Sequence, residues 1–503
     1  MTGTMRVRPN EAPSRTLAQV ARTLDVPTDD TSTTITGLAL NTRDVRPGDL
    51  YAALPGARAH GADYAAQARE AGAVAVLTDA DGAARLDGSL PVLVHPAPRT
   101  VLAGLAADLY DHPSAAFTTL GVTGTQGKTT TTYLAEAALG AEHAAVVGTI
   151  GTRVKGVPAA SALTTPEAPQ LQALFAVMRE EQVRLCAMEV SSHALVQGRV
   201  DGFAFDVAVF LNLGRDHLDF HGDVQSYFEA KASLFTPEHA RHAVLNADDE
   251  HGRLLVERTS LPVTTFSVEG RAADWRAVNV RPHRLGSDLT VLGPDGLELE
   301  MSVPLPGVFN VSNALAVVAA LSTAGHDPAG LVAGIGRSTG VPGRMERVER
   351  GQEFTAVVDY AHKPDAVTAV LAALRPVTPG RLVVVIGAGG DRDHGKRPLM
   401  GEAAAEWADV LIVTDDNPRT EDPATIRAAV LAGARDASGV EVVEIGGRRE
   451  AIAHAVSLAR RGDTVVVAGK GHEQGQEVAG VVHPFDDREV LAELIDAAGE
   501  GPA

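Results

Sequence analysis

Thr118-Thr119-Leu120-Gly121-Val122-Thr123-Gly124-Thr125-Gln126-Gly127-Lys128-Thr129-Thr130 is the stretch on which the fold turns. Its β-branched and apolar start predicts a buried strand over 118–122, and the alternation after the lysine predicts a helix over 131–139. Between them lies a loop carrying two glycines, a lysine and hydroxyls. In the strand–loop–helix setting such a loop brings backbone N–H groups close to a phosphate. Lys128 adds a point charge, and Thr129 can place a hydroxyl on magnesium at the helix N-terminus. The general phosphate-loop pattern wants glycine where Val122 stands, so only the Gly-Lys-Thr end matches in full. The bland alternative is a glycine-rich turn that holds no phosphate.

Outward from the loop, apolar runs alternate with helical stretches, as at Val207-Ala208-Val209-Phe210-Leu211, and predict a mainly parallel sheet in an α/β protein. Upstream, Leu50-Tyr51-Ala52-Ala53-Leu54 and Ala73-Val74-Ala75-Val76-Leu77 read as strands of a smaller α/β domain. A helix over 102–110 stops at Asp111-His112-Pro113-Ser114, which predicts a boundary. Downstream, Val341-Pro342-Gly343-Arg344 predicts a second break. Beyond it, Leu382-Val383-Val384-Val385-Ile386, Val410-Leu411-Ile412-Val413 and Thr464-Val465-Val466-Val467 predict a doubly wound domain. The expected division is 1–114, 115–344 and 345–503, consistent with a 503-residue chain at roughly 100 to 200 residues per domain.

Composition narrows the function. A formal charge of −20 opposes non-specific nucleic-acid binding, so an anionic substrate must be held by a few placed cations and N–H groups. No run approaches the roughly 18 apolar residues of a membrane span. The first fifteen residues mix Arg6, Arg8, Glu11 and Pro13 without an apolar core, which predicts no secretory signal and a cytoplasmic location. The single cysteine, Cys186, rules out an intrachain disulfide and reads as a buried bystander.

Three ionisable residues follow the loop. Glu189 ends the run Leu185-Cys186-Ala187-Met188, His217 sits in Asn212-Leu213-Gly214-Arg215-Asp216-His217-Leu218-Asp219, and Lys231 lies in Phe228-Glu229-Ala230-Lys231-Ala232. Glu189 and His217 come after buried strands, on the side where α/β sheets hold ligands, and could complete magnesium coordination. Taken singly, Glu189 is equally an ion-pair partner, His217 a hydrogen-bonded loop histidine, and Lys231 a solvated helical lysine.

Taken together with Met188-Glu189-Val190-Ser191-Ser192-His193, Gly307-Val308-Phe309-Asn310, Pro342-Gly343-Arg344-Met345-Glu346, Asp359-Tyr360-Ala361-His362-Lys363-Pro364-Asp365, Gly390-Asp391-Arg392-Asp393-His394-Gly395-Lys396-Arg397-Pro398, Asp416-Asn417-Pro418-Arg419 and Ala468-Gly469-Lys470-Gly471-His472-Glu473, the chain resembles the Mur ligases over nearly its whole length. The resemblance implies a three-domain α/β architecture: an N-terminal UDP-substrate domain, a central P-loop ATPase-like domain and a C-terminal Rossmann-like domain. It implies ATP-dependent addition of a diamino acid to a UDP-N-acetylmuramoyl dipeptide through an acyl phosphate, with Mg2+ as cofactor. A monomer that binds neither nucleic acid nor membrane is the expected form.

By the same resemblance, Gly124, Thr125, Gln126, Gly127, Lys128, Thr129 and Thr130 bind ATP, and Lys128, Glu189, His217 and Lys231 carry catalysis. Thr129, Glu189, His217 and Lys231 would hold the metal, Lys231 as a carbamate. Leu40, Thr42, Thr164, Thr165, Ser191, Gln197 and Arg199 would hold the UDP-linked substrate. Ala57, Arg58 and Ala59 form a further contact segment that lacks the polar side chains often found there.

The incoming amino acid would meet Arg392, Asp416, Asn417, Pro418, Arg419, Gly469 and Glu473. Arg419 can grip a carboxylate with its planar fork and Glu473 can pair with an ammonium, which favours diaminopimelate over lysine or ornithine. The bland reading of Arg419 is a surface turn arginine. The remaining alternatives are a lysine- or ornithine-adding ligase of the same fold and a catalytically inactive ATP-binding regulatory protein.

Overall fold

A computed structural model describes residues 4–56, 58–161 and 163–499. Ala57 lies outside them. The chain packs into two compact units, one formed up to Ala277 with Val291–Leu299 and Asn313–Ile335, the other by Val278–Thr290, Glu300–Ser312 and the chain from Gly336 onward.

The first unit holds two main sheets. The smaller has four parallel strands in the order Gly37–Ala39, Asp49–Ala52, Ala75–Thr78, Val92–Val94. Two of the expected strands thus shift: one starts at Asp49 and stops at Ala52, the other starts at Ala75 and includes Thr78. Thr78 Oγ1 donates to Ala53 O at 2.8 Å, so a buried polar residue ends the strand without an orphaned hydroxyl. The boundary helix spans Pro98–Leu109 and starts earlier than expected, because proline at its first position costs no hydrogen bond.

The larger sheet is built on the strand Thr118–Thr123, with Leu185–Glu189 on one side and Val207–Phe210 on the other, all parallel. Beyond these come Ala144–Gly148 on one flank and Ala243–Asn246 and Val263–Ser267 on the other, again parallel. One edge turns antiparallel, at Gly151–Val154 and Val157–Ala159. The central strands are buried along their length, as apolar runs covered on both faces require. Cys186 sits among them as a bystander, its thiol pushed up to about 12 by burial.

The second unit carries a six-stranded sheet in the order Glu346–Arg347, Thr355–Asp359, Thr464–Ala468, Leu382–Ile386, Val410–Val413, Glu441–Glu444. All pairings are parallel except the first. Every residue of Leu382–Ile386 is fully buried, and each such side chain stabilises the fold by about 1.5–3 kcal/mol. A two-stranded hairpin, Gly475–Val478 with Val481–Pro484, completes it. Among the described residues, no helix is long and apolar enough to cross a membrane.

Candidate active site

The phosphate-type loop sits at the carboxyl end of Thr118–Thr123, and its helix, Lys128–Leu139, begins three residues earlier than the sequence pattern predicts. Threonine is a weak helix former, yet Thr131 Oγ1 donates to Gly127 O at 2.9 Å and Thr132 Oγ1 to Thr129 O at 3.0 Å. These bonds absorb hydroxyls that would otherwise compete with the helix. Gly127 precedes the helix at φ 87°, a left-handed conformation that glycine adopts without strain. Lys128 curls back over the loop, its Nζ donating to Gly124 O at 2.8 Å and Thr125 O at 3.2 Å.

Asn212 braces the loop. Its Oδ1 accepts from Thr125 N at 3.1 Å and Gln126 N at 2.9 Å, while Nδ2 donates to Gln126 O at 3.2 Å. Asn212 stands in the run Asn212–Asp219 without an expected role of its own. Its position directly after the run 207–211 was the available signal.

Lys231 corrects the solvated reading. It is 1% exposed, donates to Gly124 O at 2.9 Å and Thr123 Oγ1 at 3.4 Å, and stands 4.7 Å from the centre of the Tyr227 ring. Tyr227 in turn meets Thr125 Oγ1 at 3.3 Å. The lysine therefore lies directly beneath the loop, on the buried face of the helix Val224–Ala232.

Glu189 ends the strand beside the loop strand, in register with Val122, and is as buried as Lys231. Its carboxylate accepts from Thr149 N at 2.8 Å and Thr149 Oγ1 at 3.0 Å. The peptide-side residues follow in one chain of contacts. Thr149 Oγ1 meets Thr164 Oγ1 at 3.2 Å; Thr165 Oγ1 donates to Glu189 O at 2.8 Å and accepts from Ser191 N at 3.2 Å. Arg199 donates to Thr165 O at 3.0 Å and to Gln197 Oε1 at 2.6 Å, and pairs with Glu167 at 2.9 Å. Sequence reasoning overlooked Thr149 and Glu167, which stand in no motif.

Glu167 also borders a cavity of about 1470 Å³ whose walls include Leu40, Thr42, Arg43, Tyr51, Ala59 and Gln170. Leu40 and Thr42 thus share one cavity. Arg8 spans its rim, gripping buried Asp49 at 2.6 and 2.7 Å and donating to Asp44 O at 3.0 Å.

In the second unit, the expected amino-acid residues stand after three adjacent parallel strands, where open α/β sheets take their ligands. Asn417 Nδ2 donates to Glu473 Oε2 at 2.9 Å. Arg419 donates to Gly390 O at 2.6 Å and pairs with Glu477 at 3.4 Å, so it is no free surface arginine. A methyl group added to Gly389 would stand 3.0 Å from Arg419 Nη1 and 4.0 Å from Arg392 Cγ, so both arginines border the space beside this glycine. Gly469 lies against Asp416, and Gln476 Nε2 donates to Asp416 O at 2.6 Å. Tyr360, beside the same residues, is pushed up to about 12, first by burial and then by the charge of Glu473.

Magnesium is a hard cation that wants oxygen ligands. Glu189 fits, since each carboxylate oxygen retains acceptor capacity beyond its bond from Thr149. The Thr129 hydroxyl, on the first helical turn, fits as well. Lys231 fits only as a carbamate, because its ammonium would repel a metal. His217 is half exposed at φ 51°, paired with Asp216 at 3.3 Å, set edge-on to His193 at 4.9 Å and 6.1 Å, ring centre to ring centre, from Tyr227. Among the described residues, no three His, Cys, Asp or Glu side chains gather into a metal-binding group.

A phosphate-type loop at the carboxyl end of a central parallel strand and a second ligand site at the carboxyl ends of a doubly wound sheet define a multidomain α/β nucleotide-dependent enzyme. Comparison narrows this. The chain matches the model of the Mur ligase family catalytic domain at residues 34–110, the Mur ligase middle domain at 122–321 and the Mur ligase glutamate ligase domain at 343–471.

It is 53% identical to the UDP-N-acetylmuramoyl-L-alanyl-D-glutamate–2,6-diaminopimelate ligase of Streptomyces avermitilis, over 97% of this chain and 98% of that one. Identity to the enzyme of the same name from Corynebacterium efficiens is 48%, over 98% of each. A solved structure of a ligase of that name aligns with a TM-score of 0.70 at 34% identity, over 97% of this chain and all of the other. The chain belongs to the Mur ligase family and has its three-domain α/β architecture.

Proposed function

We infer that this chain catalyses the ATP-dependent addition of 2,6-diaminopimelate to the D-glutamate of UDP-N-acetylmuramoyl-L-alanyl-D-glutamate, a step of peptidoglycan precursor synthesis. The observation that carries this reading is the near-full-length identity to ligases of that name. The segments 1–114, 115–344 and 345–503 take the UDP end, ATP and the amino acid respectively.

A carboxylate does not condense with an amine in water, because hydroxide is a poor leaving group. A carboxylate oxygen of the D-glutamate therefore attacks the γ-phosphorus, the bond to the β-bridging oxygen breaks, and ADP leaves. The amine nitrogen then attacks the acyl carbon, inorganic phosphate departs, and the nitrogen sheds a proton. The enzyme contributes position and charge. Gly124, Thr125, Gln126, Gly127, Lys128, Thr129 and Thr130 cradle the phosphates, and Lys128 leaves its own loop carbonyls for the transferring group. Magnesium, held by Thr129, Glu189 and carbamylated Lys231, would neutralise phosphate charge. His217 would hold it with them.

Leu40 and Thr42 hold the uridine end in the large cavity, and Thr164, Thr165, Ser191, Gln197 and Arg199 hold the muramoyl peptide. Arg392 and Arg419, both beside Gly389, suit the distal carboxylate of diaminopimelate, and Glu473 suits its ammonium; Asp416, Asn417, Pro418 and Gly469 shape the pocket. Lysine lacks the distal carboxylate that the two arginines would grip. A cytoplasmic location and a monomeric state go with this reading, and a light-scattering mass of one chain tests the latter. Phosphate release with the UDP-linked dipeptide and each of diaminopimelate, lysine and ornithine tests the rest: diaminopimelate should dominate, and preference for lysine overturns the specificity.

A further inference from the structure

Lys470 lies between two glycines in the loop after Thr464–Ala468 and is fully buried. Burying an ammonium costs several kcal/mol unless partners compensate it, so its surroundings have to be polar. They are. Nζ donates to Asn417 Oδ1 at 3.0 Å and to Glu473 Oε2 at 3.3 Å, and stands 3.8 Å from Asp416 Oδ1.

These partners come from two loops. Asp416 and Asn417 follow Val410–Val413, and Glu473 follows Thr464–Ala468; Leu382–Ile386 runs between those strands in the sheet. One buried cation therefore bridges two loops that the strand order keeps apart. Asn417 completes the knot, since Nδ2 donates to Glu473 Oε2 at 2.9 Å while Oδ1 also accepts from Glu477 N at 3.0 Å. The Glu473 Oε2 atom is held twice, which fixes the carboxylate plane. The charges matter too: Asp416 and Glu473 carry two negatives against the single positive of Lys470. The knot keeps one net negative charge, which an incoming ammonium can neutralise.

We propose that Lys470 is a positioning residue for the amino-acid substrate: its buried ammonium ties Asn417 to Glu473 and presents the Glu473 carboxylate to the substrate's amino group. It touches no reacting atom. The inference rests on the reading that these loops receive diaminopimelate.

Steady-state phosphate release by full-length Lys470→Met and Lys470→Arg, varying each substrate in turn, tests it. Lys470→Met should raise KM for diaminopimelate at least about twentyfold while KM for ATP and for the UDP-linked dipeptide moves by less than about twofold. Lys470→Arg keeps the charge but not the geometry, and should raise KM for diaminopimelate by about fivefold with the other two again unmoved. If Lys470→Met yields no folded protein by circular dichroism, the Arg variant decides alone. An unchanged KM for diaminopimelate, or a joint rise in all three constants, overturns the proposal. If the wild-type protein turns over no diaminopimelate at all, the functional reading fails instead, so the two failures are distinguishable.

Discussion

Lys231 shows how far one residue departs from what its neighbours in sequence suggest. Its amine, buried under the loop against Gly124 O, is a cation where the proposed chemistry wants an anion. Reaction with carbon dioxide would reverse the charge, so intact-mass analysis in bicarbonate should find a fraction heavier by one carbon dioxide. Lys231→Ala should lose at least about 100-fold in kcat, a magnitude typical of removing one charge-stabilising group. Full activity of that variant would reject the role.

Arg448 and Asp487 make a second residue-scale case. Both are fully buried and joined by two bonds of 2.7 Å, and Arg448 also donates to Ala468 O at 3.0 Å. Arg448→Met strands a buried carboxylate and should cost about 3–5 kcal/mol in urea unfolding. A loss below about 1 kcal/mol would show that solvent reaches Asp487.

At the scale of elements, the buried strands were legible because covered parallel strands need unbroken apolar runs: Leu382–Ile386 and Val410–Val413 match their predicted bounds to the residue. The helix after the phosphate-type loop was legible in existence but not in start. Its first turn contains Thr129 and Thr130, weak helix formers, and is held by the loop geometry rather than by local preference. The burial of Lys231 was hidden for a related reason, since a nine-residue helix is too short for its buried stripe to stand out from Glu229 and Gln225 on the other face. The hairpin Gly475–Val478 with Val481–Pro484 was not foreseen at all. It docks by backbone bonds, Arg419 N to Glu477 O at 3.0 Å and Ala479 N to Arg419 O at 2.6 Å, which no side-chain pattern records.

The start of the loop helix yields a test. A methyl group at Gly127 would clash with Asn313 Oδ1, and the left-handed backbone would add about 1–2 kcal/mol of strain. Gly127→Ala should therefore raise KM for ATP by at least about tenfold in phosphate release, leaving KM for diaminopimelate within about twofold. A uniform rise in both would show that the strain spreads beyond the loop.

At the scale of the whole molecule, the second compact unit is built to lose stability in acid. It contains two half-buried imidazoles held far below their ordinary value. His362 is pushed down to about 4 chiefly by burial, then by Lys363 and Lys396; His472 is pushed down to about 4 by burial, then by Arg344 and Arg488. In the unfolded chain both titrate near 6.5. Above that pH neither state binds the proton and the full stability is present. Between about 6.5 and about 4 the unfolded chain is protonated and the folded one is not, so stability falls as the pH falls; below about 4 both states are charged and the loss stops.

At pH 5 the loss is about 2 kcal/mol per imidazole, at roughly 1.4 kcal/mol per pH unit. Buried Asp359 works the other way, its carboxyl raised by burial and so stabilised on acidification, but it is one group against two. The chain's two tryptophans let the unit be watched by itself, because Trp407 lies in it and Trp275 does not. In a Trp275→Phe background, the urea midpoint followed by Trp407 fluorescence should drop between pH 7.5 and pH 5, and His362→Gln with His472→Gln should remove most of the drop. An equal drop in that double variant would place the acid sensitivity on groups other than these two histidines.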